Sequence, residues 1–468
     1  MTGGGSDTAA KRAALAISAL SLGTTLNPLN SSMIAVALIA LRHDFSVTFA
    51  EVTWVVTLFY MASLIAQPLM GRLVDAYGSR RVFCAGMGVA VVAGALAPFA
   101  PLMASDAAGF ALVLISRVVL AVGTSVAFPA AIALVAPLAQ VARLSPPRVL
   151  ARIQVANTTA AALGPVAGGL LIAWAGWQAI FLMNIPVATL AYVAVRLLAP
   201  PATRGLRTTA RRVMRELDAP GALAFGVASV TLVIALLGAA GTAAWAVVAL
   251  GLIALALFIW RELRVDIPFI DVRMLASNRA LGLSYVAFAA FTALFYLAFF
   301  GVAQMLEARG GYSPAIVGLL ILPLMGLTIL VAPAVARLID RRGLAVTLGA
   351  MAVLLLVAAG SLAIAIATTA PIWMLLMTAV MGLPYCMGSL AMTEAVRRTA
   401  PAETVGVASG LLQSTRYLGA IIATVVLGHL LGAGADAASW RMVVIAAVAI
   451  GVVHAILATF QARCLKIR

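Results

Sequence analysis

Acidic side chains are scarce in this chain. Its 468 residues hold 15 Asp and Glu against 31 Lys and Arg, and charged residues of both signs make up only 10%, far below the roughly 25% of soluble domains. So small a polar complement excludes a water-soluble globule, because 64% of the side chains are apolar and could not all be hidden from solvent. No long polar block interrupts the chain, which leaves no room for a soluble catalytic or nucleotide-binding domain. There is no G-x-x-x-x-G-K-[ST] phosphate loop, so an ATP-driven pump would need a partner chain. Cysteine is rare as well. Cys84, Cys386 and Cys464 have neither metal-ligand spacing nor the even count of a disulfide framework, and they read as packing residues. No metal, cofactor or bond-making chemistry is expected. The first ten residues are Gly-rich and polar, and no small-residue cleavage site follows a short apolar core, so the first apolar stretch reads as a retained span.

What the chain does have is hydrocarbon, with a mean hydropathy of +1.12. Crossing a layer about 30 Å thick takes roughly 20 helical residues. Splitting the sequence at charges, Pro-Gly turns and polar breaks gives fourteen such segments, near 13–40, 52–71, 82–101, 107–131, 152–174, 177–198, 219–239, 242–260, 281–303, 314–335, 344–368, 371–393, 404–431 and 440–461. The expected class is an all-α polytopic membrane protein. The net charge of +16 does not point to nucleic acid once its distribution is considered. Counted from a cytoplasmic N-terminus, the inner segments collect nearly all Lys and Arg, with Arg42, Arg309 and Arg441 outside and Arg117 and Arg416 within spans. The positive-inside rule then places both termini in the cytoplasm. The segment 199–218, with Arg204, Arg207, Arg211, Arg212 and Arg215, reads as a basic connector near anionic lipid headgroups.

An internal repeat appears when Gly71-Arg72-Leu73-Val74-Asp75-Ala76-Tyr77-Gly78 is laid over Ala336-Arg337-Leu338-Ile339-Asp340-Arg341-Arg342-Gly343. Arg, Leu, Asp and Gly coincide in register. Both copies follow a second span and face the same side, which fits parallel halves related by an axis along the membrane normal. Segments 1–6 and 9–14 then form two six-helix bundles, and segments 7 and 8 form a two-helix insertion. The expected division is 1–198, 199–280 and 281–468.

On these residues the chain resembles the Major Facilitator Superfamily, and more narrowly its fourteen-span drug:proton antiporter family. The stretch Gly71 to Arg81 is similar to the family's G-x-L-a-D-r-x-G-r-[kr] motif. Asp75 is suited to cap a neighbouring helix and to pair with Arg72, Arg80 or Arg81, while Gly71 and Gly78 permit close backbone approach. Together with Arg337 and Asp340 these residues form a candidate conformational latch. In the fifth span, 160–169 is similar to the antiporter motif g-x-x-x-G-P-x-x-G-G, with Ala160 departing from it. Gly164, Pro165, Gly168 and Gly169 form a candidate hinge of small residues and a bend. Arg117, ~15 Å deep by helical rise, resembles the first residue of the family's R-x-x-q-G-x-G, with Leu120 and Ala121 replacing Gln and the first Gly. An intramembrane Arg is functional by default. Further matches are 54–60, 177–186 with Gln178 where Arg is usual, and 311–314.

One departure matters. The run 29–38 is similar to the family's L-D-x-T-I-V-N-V-A-L, but Asn30 stands where the family has a proton-carrying Asp. An amide does not exchange a proton at physiological pH. All 15 acidic residues fall in loops or at span ends, so the midplane holds the cations Arg117 and Arg416, the latter ~18 Å deep by helical rise. A cavity of that kind favours anionic, zwitterionic or neutral cargo. Asn27, Asn30, Arg117, Gln154, Asn157, Gln413, Arg416 and Tyr417 are the candidate cavity residues, and Asp75, Asp106, Glu394 and His429 the candidate proton sites. The resemblance implies a monomeric secondary transporter of a bacterial inner membrane that exports small amphiphilic molecules by alternating access. Membrane lipids and protons are its expected partners, and a periplasmic adaptor is left open. A carrier for an anionic metabolite or lipid-like molecule without conventional antiport, and a non-transporting sensor on the same fold, are the alternatives.

Overall fold

The computed structural model describes residues 3–47, 49–52, 54–200, 218–238, 242–265, 268–270, 272–312, 314–431 and 437–466, and among them every regular element is helical. Helices of fifteen or more residues are numbered α1 (Gly3–Asp44), α2 (Trp54–Tyr77), α3 (Ser79–Leu96), α4 (Asp106–Ser125), α5 (Ala127–Val141), α6 (Pro146–Ala175), α7 (Asn184–Leu198), α8 (Ala219–Gly238), α9 (Thr242–Glu262), α10 (Arg279–Ala308), α11 (Pro314–Arg342), α12 (Leu344–Ser361), α13 (Pro371–Thr399), α14 (Val405–Leu431) and α15 (Ala437–Lys466). Helix occurs at each of the fourteen apolar segments. Among the described residues, eleven helical stretches are long and apolar enough to cross a membrane. The basic connector 201–217 lies outside the described residues.

The helices overrun the apolar windows because charged side chains at a membrane surface still favour helix. The stretch 71–81, expected as a loop, is therefore helical up to Tyr77 and broken only by Gly78 at φ +88°. Its second copy ends in the same way, α11 running through Arg342 to Gly343 at φ +83°. A left-handed residue after the last helical turn is strained for side chains with a Cβ, which explains the shared glycine.

Two compact units divide the chain, one of residues 1–217 with 401–411 and one of 218–400 with 412–468. In the first, α1 packs along α6, and an apolar cluster gathers Phe45, Phe110, Trp177 and Phe181. The Trp177 indole N–H donates to Asp44 Oδ2 at 2.8 Å. In the second, α10 packs on α15, where Gln461 Nε2 donates to Ser284 Oγ at 2.8 Å and His454 Nδ1 lies 2.9 Å from the Ala287 carbonyl. Gly382 brings α13 against the Pro323 and Leu324 carbonyls of α11, where any side chain would collide with backbone. With lipid as apolar as the side chains, such small-residue contacts and interhelical hydrogen bonds hold the helices together.

Candidate functional site

Three polar constellations stand within the two units. The first surrounds Asn30, which is fully buried in α1 with Asn184 of α7, also fully buried, as its partner. Asn30 Nδ2 donates to Asn184 Oδ1 at 2.5 Å, and Asn184 Nδ2 donates back to Asn30 Oδ1 at 3.0 Å. The remaining donors go to the Leu26 carbonyl from Asn30 and to the Ile180 and Phe181 carbonyls from Asn184. A carboxylate at position 30 would present an acceptor to Leu26 O and Asn184 Oδ1, so this geometry calls for an amide. Asn184 was not among the sequence-derived candidates. A lone amide in the apolar segment 180–191 was the signal for it.

Arg117 of α4 lies beside this pair and is fully buried. Nε donates to the Val55 carbonyl at 3.1 Å, Nη1 to the Asn30 carbonyl at 3.4 Å, and the guanidinium sits 4.2 Å from the centroid of the Phe59 ring. Nη2 has no hydrogen-bond partner among the described residues. The cation thus bridges α4, α1 and α2 through backbone carbonyls and an aromatic face, which is how a charge is tolerated away from water. The other expected cavity residues of this unit make separate pairs. Thr24 donates to Asn157 Oδ1 at 2.8 Å, Asn27 Nδ2 to Thr124 Oγ1 at 3.4 Å, and Gln154 Nε2 to Thr158 Oγ1 at 3.2 Å. In the second unit, Arg416 lies 5.6 Å from the centroid of Phe288, and Gln413 Oε1 has no hydrogen-bond partner among the described residues. Tyr417 is half-buried on the next turn.

The second constellation is the latch. Asp75 Oδ1 accepts from Gly406 N and Oδ2 from Val407 N, each at 2.8 Å, so the carboxylate caps the first turn of α14. Gly71 and Gly406 meet backbone to backbone, and Gly410 approaches the Gln67 carbonyl, so a Cβ at any of the three would overlap main-chain atoms. Arg80 Nη1 donates to the Ala199 carbonyl at 3.3 Å. In the second copy, Asp340 is exposed, and Arg337 Nε donates to the Pro333 carbonyl of its own helix at 3.3 Å. Among the hinge residues, Gly164 and Gly168 face inward, and a Cβ on Gly164 would overlap Ser32 of α1. Pro165 and Gly169 are exposed.

The candidate proton sites are scattered. Asp106 is exposed in the first turn of α4, where the Ser105 hydroxyl caps Ala108 N. Glu394 is fully buried in α13 and accepts from Arg397 twice and from Arg398, each at 2.7 Å. The His429 side chain lies outside the described ones.

The third constellation, unforeseen from sequence, clasps the base of α8 and α9. Asp218 accepts two hydrogen bonds from Arg261, at 2.8 and 2.5 Å, and two more from Gly221 N and Phe269 N, while Glu262 accepts from Arg261 and from Ile270 N. Burial pushes the Asp218 carboxyl up, but the Arg261 guanidinium and the two amides outweigh it and hold the group below the usual carboxylate range. Glu262 moves the other way, raised by burial and by the neighbouring Asp218.

A helical membrane fold with a duplicated Gly-terminated turn, a carboxylate-capped helix and buried polar clusters on apolar helices has the form of a membrane transporter. The sequence pattern of the Major Facilitator Superfamily matches residues 20–424, and the chain belongs to that family. Relatives include the MFS-type transporter YwoD of Bacillus subtilis, 35% identical over 92% of this chain and 93% of its own. The tetracenomycin C resistance and export protein of Streptomyces glaucescens is 29% identical over 88% of this chain and 75% of its own. The methylenomycin A resistance protein of Bacillus subtilis is 25% identical over 87% of this chain and 85% of its own. Among solved structures, the proton:xylose symporter XylE bound to 6-bromo-6-deoxy-D-glucose has a similar fold at a TM-score of 0.66, with 12% identity over 95% of each chain. The human organic anion transporter MFSD10 superposes at 0.60, with 17% identity over 97% of this chain and 99% of its own.

Proposed function

We propose that the protein is a fourteen-span exporter of small amphiphilic organic molecules, coupled to protons and working by alternating access, with both termini cytoplasmic. The observation that carries this reading is the likeness, over most of the chain, to proteins whose names record resistance and export. The Asp75 cap supports it as a state-specific latch, because two hydrogen bonds to one helix start form or break together. Proton exchange is assigned to the carboxylates at span ends, Asp75 foremost, and not to Asn30. The test is uptake of fluorescent amphiphiles into proteoliposomes of known orientation, with and without an imposed pH gradient. Gradient-driven accumulation that collapses with a protonophore is the expected result, and accumulation indifferent to the gradient excludes the coupling.

A second reading is favoured by Asn30, an amide where the family's drug exporters carry an acid, because it leaves the buried Arg117 beside an amide pair with no carboxylate among the described hydrogen-bond partners. This is a carrier for an anionic or lipid-like molecule without conventional antiport. Under it, anionic probes are transported in the same assay at equal rates with and without the gradient.

A further inference from the structure

A cleft in the first unit includes Arg80 and Arg81, two of the expected latch residues, neither of which is a hydrogen-bond partner of Asp75 in the structure. It opens between the start of α3 and the end of α7, has a volume of about 550 Å³, and is lined by Arg80, Arg81, Arg196, Tyr192, Cys84 and Gly88 among others. Among the described residues, three guanidinium groups and no carboxylate line it. Part of that charge is already committed. Arg80 donates to Ala199 O, and Arg12 to Leu197 O at 2.6 Å, so these two satisfy carbonyls left over at the end of α7. Arg81 and Arg196 are exposed and have no hydrogen-bond partner among the described residues.

The cleft continues into apolar surface. On α3, positions 81, 85, 88 and 92 share one face by helical spacing, and it runs from the Arg81 guanidinium through Ala85 and Gly88 to Val92, which is 55% exposed. On α7, Val193 and Leu197 are exposed beside Tyr192 and Arg196. Gly88 leaves a slot in the cleft, since a Cβ built there meets no atom within 4 Å. A row of cations at one end and an open apolar slot leading away from it complement a molecule with an anionic phosphate and a hydrocarbon chain. A free phosphate would satisfy only the first half.

We propose that this cleft binds an anionic glycerophospholipid from the leaflet bordering the α2–α3 turn, its phosphate held by Arg81 and Arg196 and its acyl chain laid over Gly88 and Val92. In the topology proposed above, that leaflet is the inner one.

The full chain, delipidated in detergent, is titrated with dioleoyl phosphatidylglycerol and with dioleoyl phosphatidylcholine, and bound lipid is counted by native mass spectrometry. Phosphatidylglycerol is expected to bind about tenfold more tightly, with Arg196→Gln losing about fivefold of its affinity and Arg196→Lys less than about twofold, as befits basic groups near an anionic headgroup. Gly88→Leu fills the slot without changing a charge and is expected to weaken both lipids. Gly88→Ala, which fits the open space, is expected to do so to a smaller extent and serves where the larger residue impairs folding. Equal affinity for the two lipids, or glycine variants that bind both as the parent does, overturns the proposal. sn-Glycerol 3-phosphate carries the headgroup phosphate without acyl chains. Displacement of the lipid by it at equal concentration would make the cleft a soluble-phosphate site and overturn the lipid assignment.

Discussion

Asn30 and Asn184, both fully buried, satisfy each other's amides, and that reciprocity sets the cost of disturbing either one. Removing a single partner strands a buried polar group, at about 1–3 kcal/mol, whereas replacing both with apolar groups of similar shape is nearly neutral. Asn184→Ala is therefore expected to lower the melting temperature in detergent, and the double variant Asn30→Leu/Asn184→Leu to recover most of the loss. A double variant as unstable as the sum of Asn30→Leu and Asn184→Leu taken singly would show that the amides are not coupled. Asn30 stood out in the sequence because it departs from a known motif, and Arg117 because a cation in an apolar run must have partners. Which partners could not be read. The Val55 and Asn30 carbonyls are backbone atoms, and backbone leaves no mark in residue type. Asn184, four residues after Ile180 in an otherwise apolar stretch, was visible but had no partner assigned to it.

Element ends concentrate the remaining chemistry. At the start of α14, the Asp75 carboxylate supplies what four free N–H groups lack, and the glycines at 71, 406 and 410 let α2 and α14 approach close enough for it to reach. Asp75→Asn keeps one acceptor and loses the charge, a change of about 1–2 kcal/mol. It should slow transport at equal expression while insertion is preserved, and the transport that remains should respond less to the pH gradient, since the amide does not exchange a proton. Transport at the parental rate would remove the latch from the mechanism. The clasp on α8 and α9 carries a pH signature. Because Asp218 is held below its unfolded value, its contribution to stability is complete above the ordinary carboxylate range and is lost as pH falls through the lowered folded value. Glu262, raised, binds its proton first on acidification and favours the folded form as it does so. Amide exchange at Gly221 and Phe269 should stay slow until pH drops below about 3.9, the reference Asp value, and then rise. These are changes in protection relative to an unstructured amide at the same pH: Asp218→Asn should show low protection throughout, and low protection in the parent at neutral pH would refute the clasp. The repeat at 71–78 and 336–343 was legible because its glycines obey a backbone rule. The clasp was not, since its members are separated by a hairpin and joined to main-chain amides.

For the whole molecule, topology follows from counting. If all fourteen apolar segments cross, the inserted pair α8 and α9 adds two crossings and leaves the direction of everything after it unchanged. Removing residues 219–262 as a unit should then insert α10 to α15 in their native orientation, since the basic ends of the later helices, Arg341 and Arg342 on α11 and Arg397 and Arg398 on α13, still fall on the side favoured for Lys and Arg. Removing 242–262 alone changes the count by one and sets that charge bias against the inherited direction. A C-terminal fluorescent fusion, bright only in the cytoplasm, and a phosphatase fusion, active only outside, separate the cases. The pair deletion should match the parent in both reporters, whereas the single deletion should lose fluorescence, gain phosphatase activity or fail to accumulate. A single-helix deletion with a bright, stable fusion would mean that one of these two segments does not cross, and the count of fourteen would fall with it.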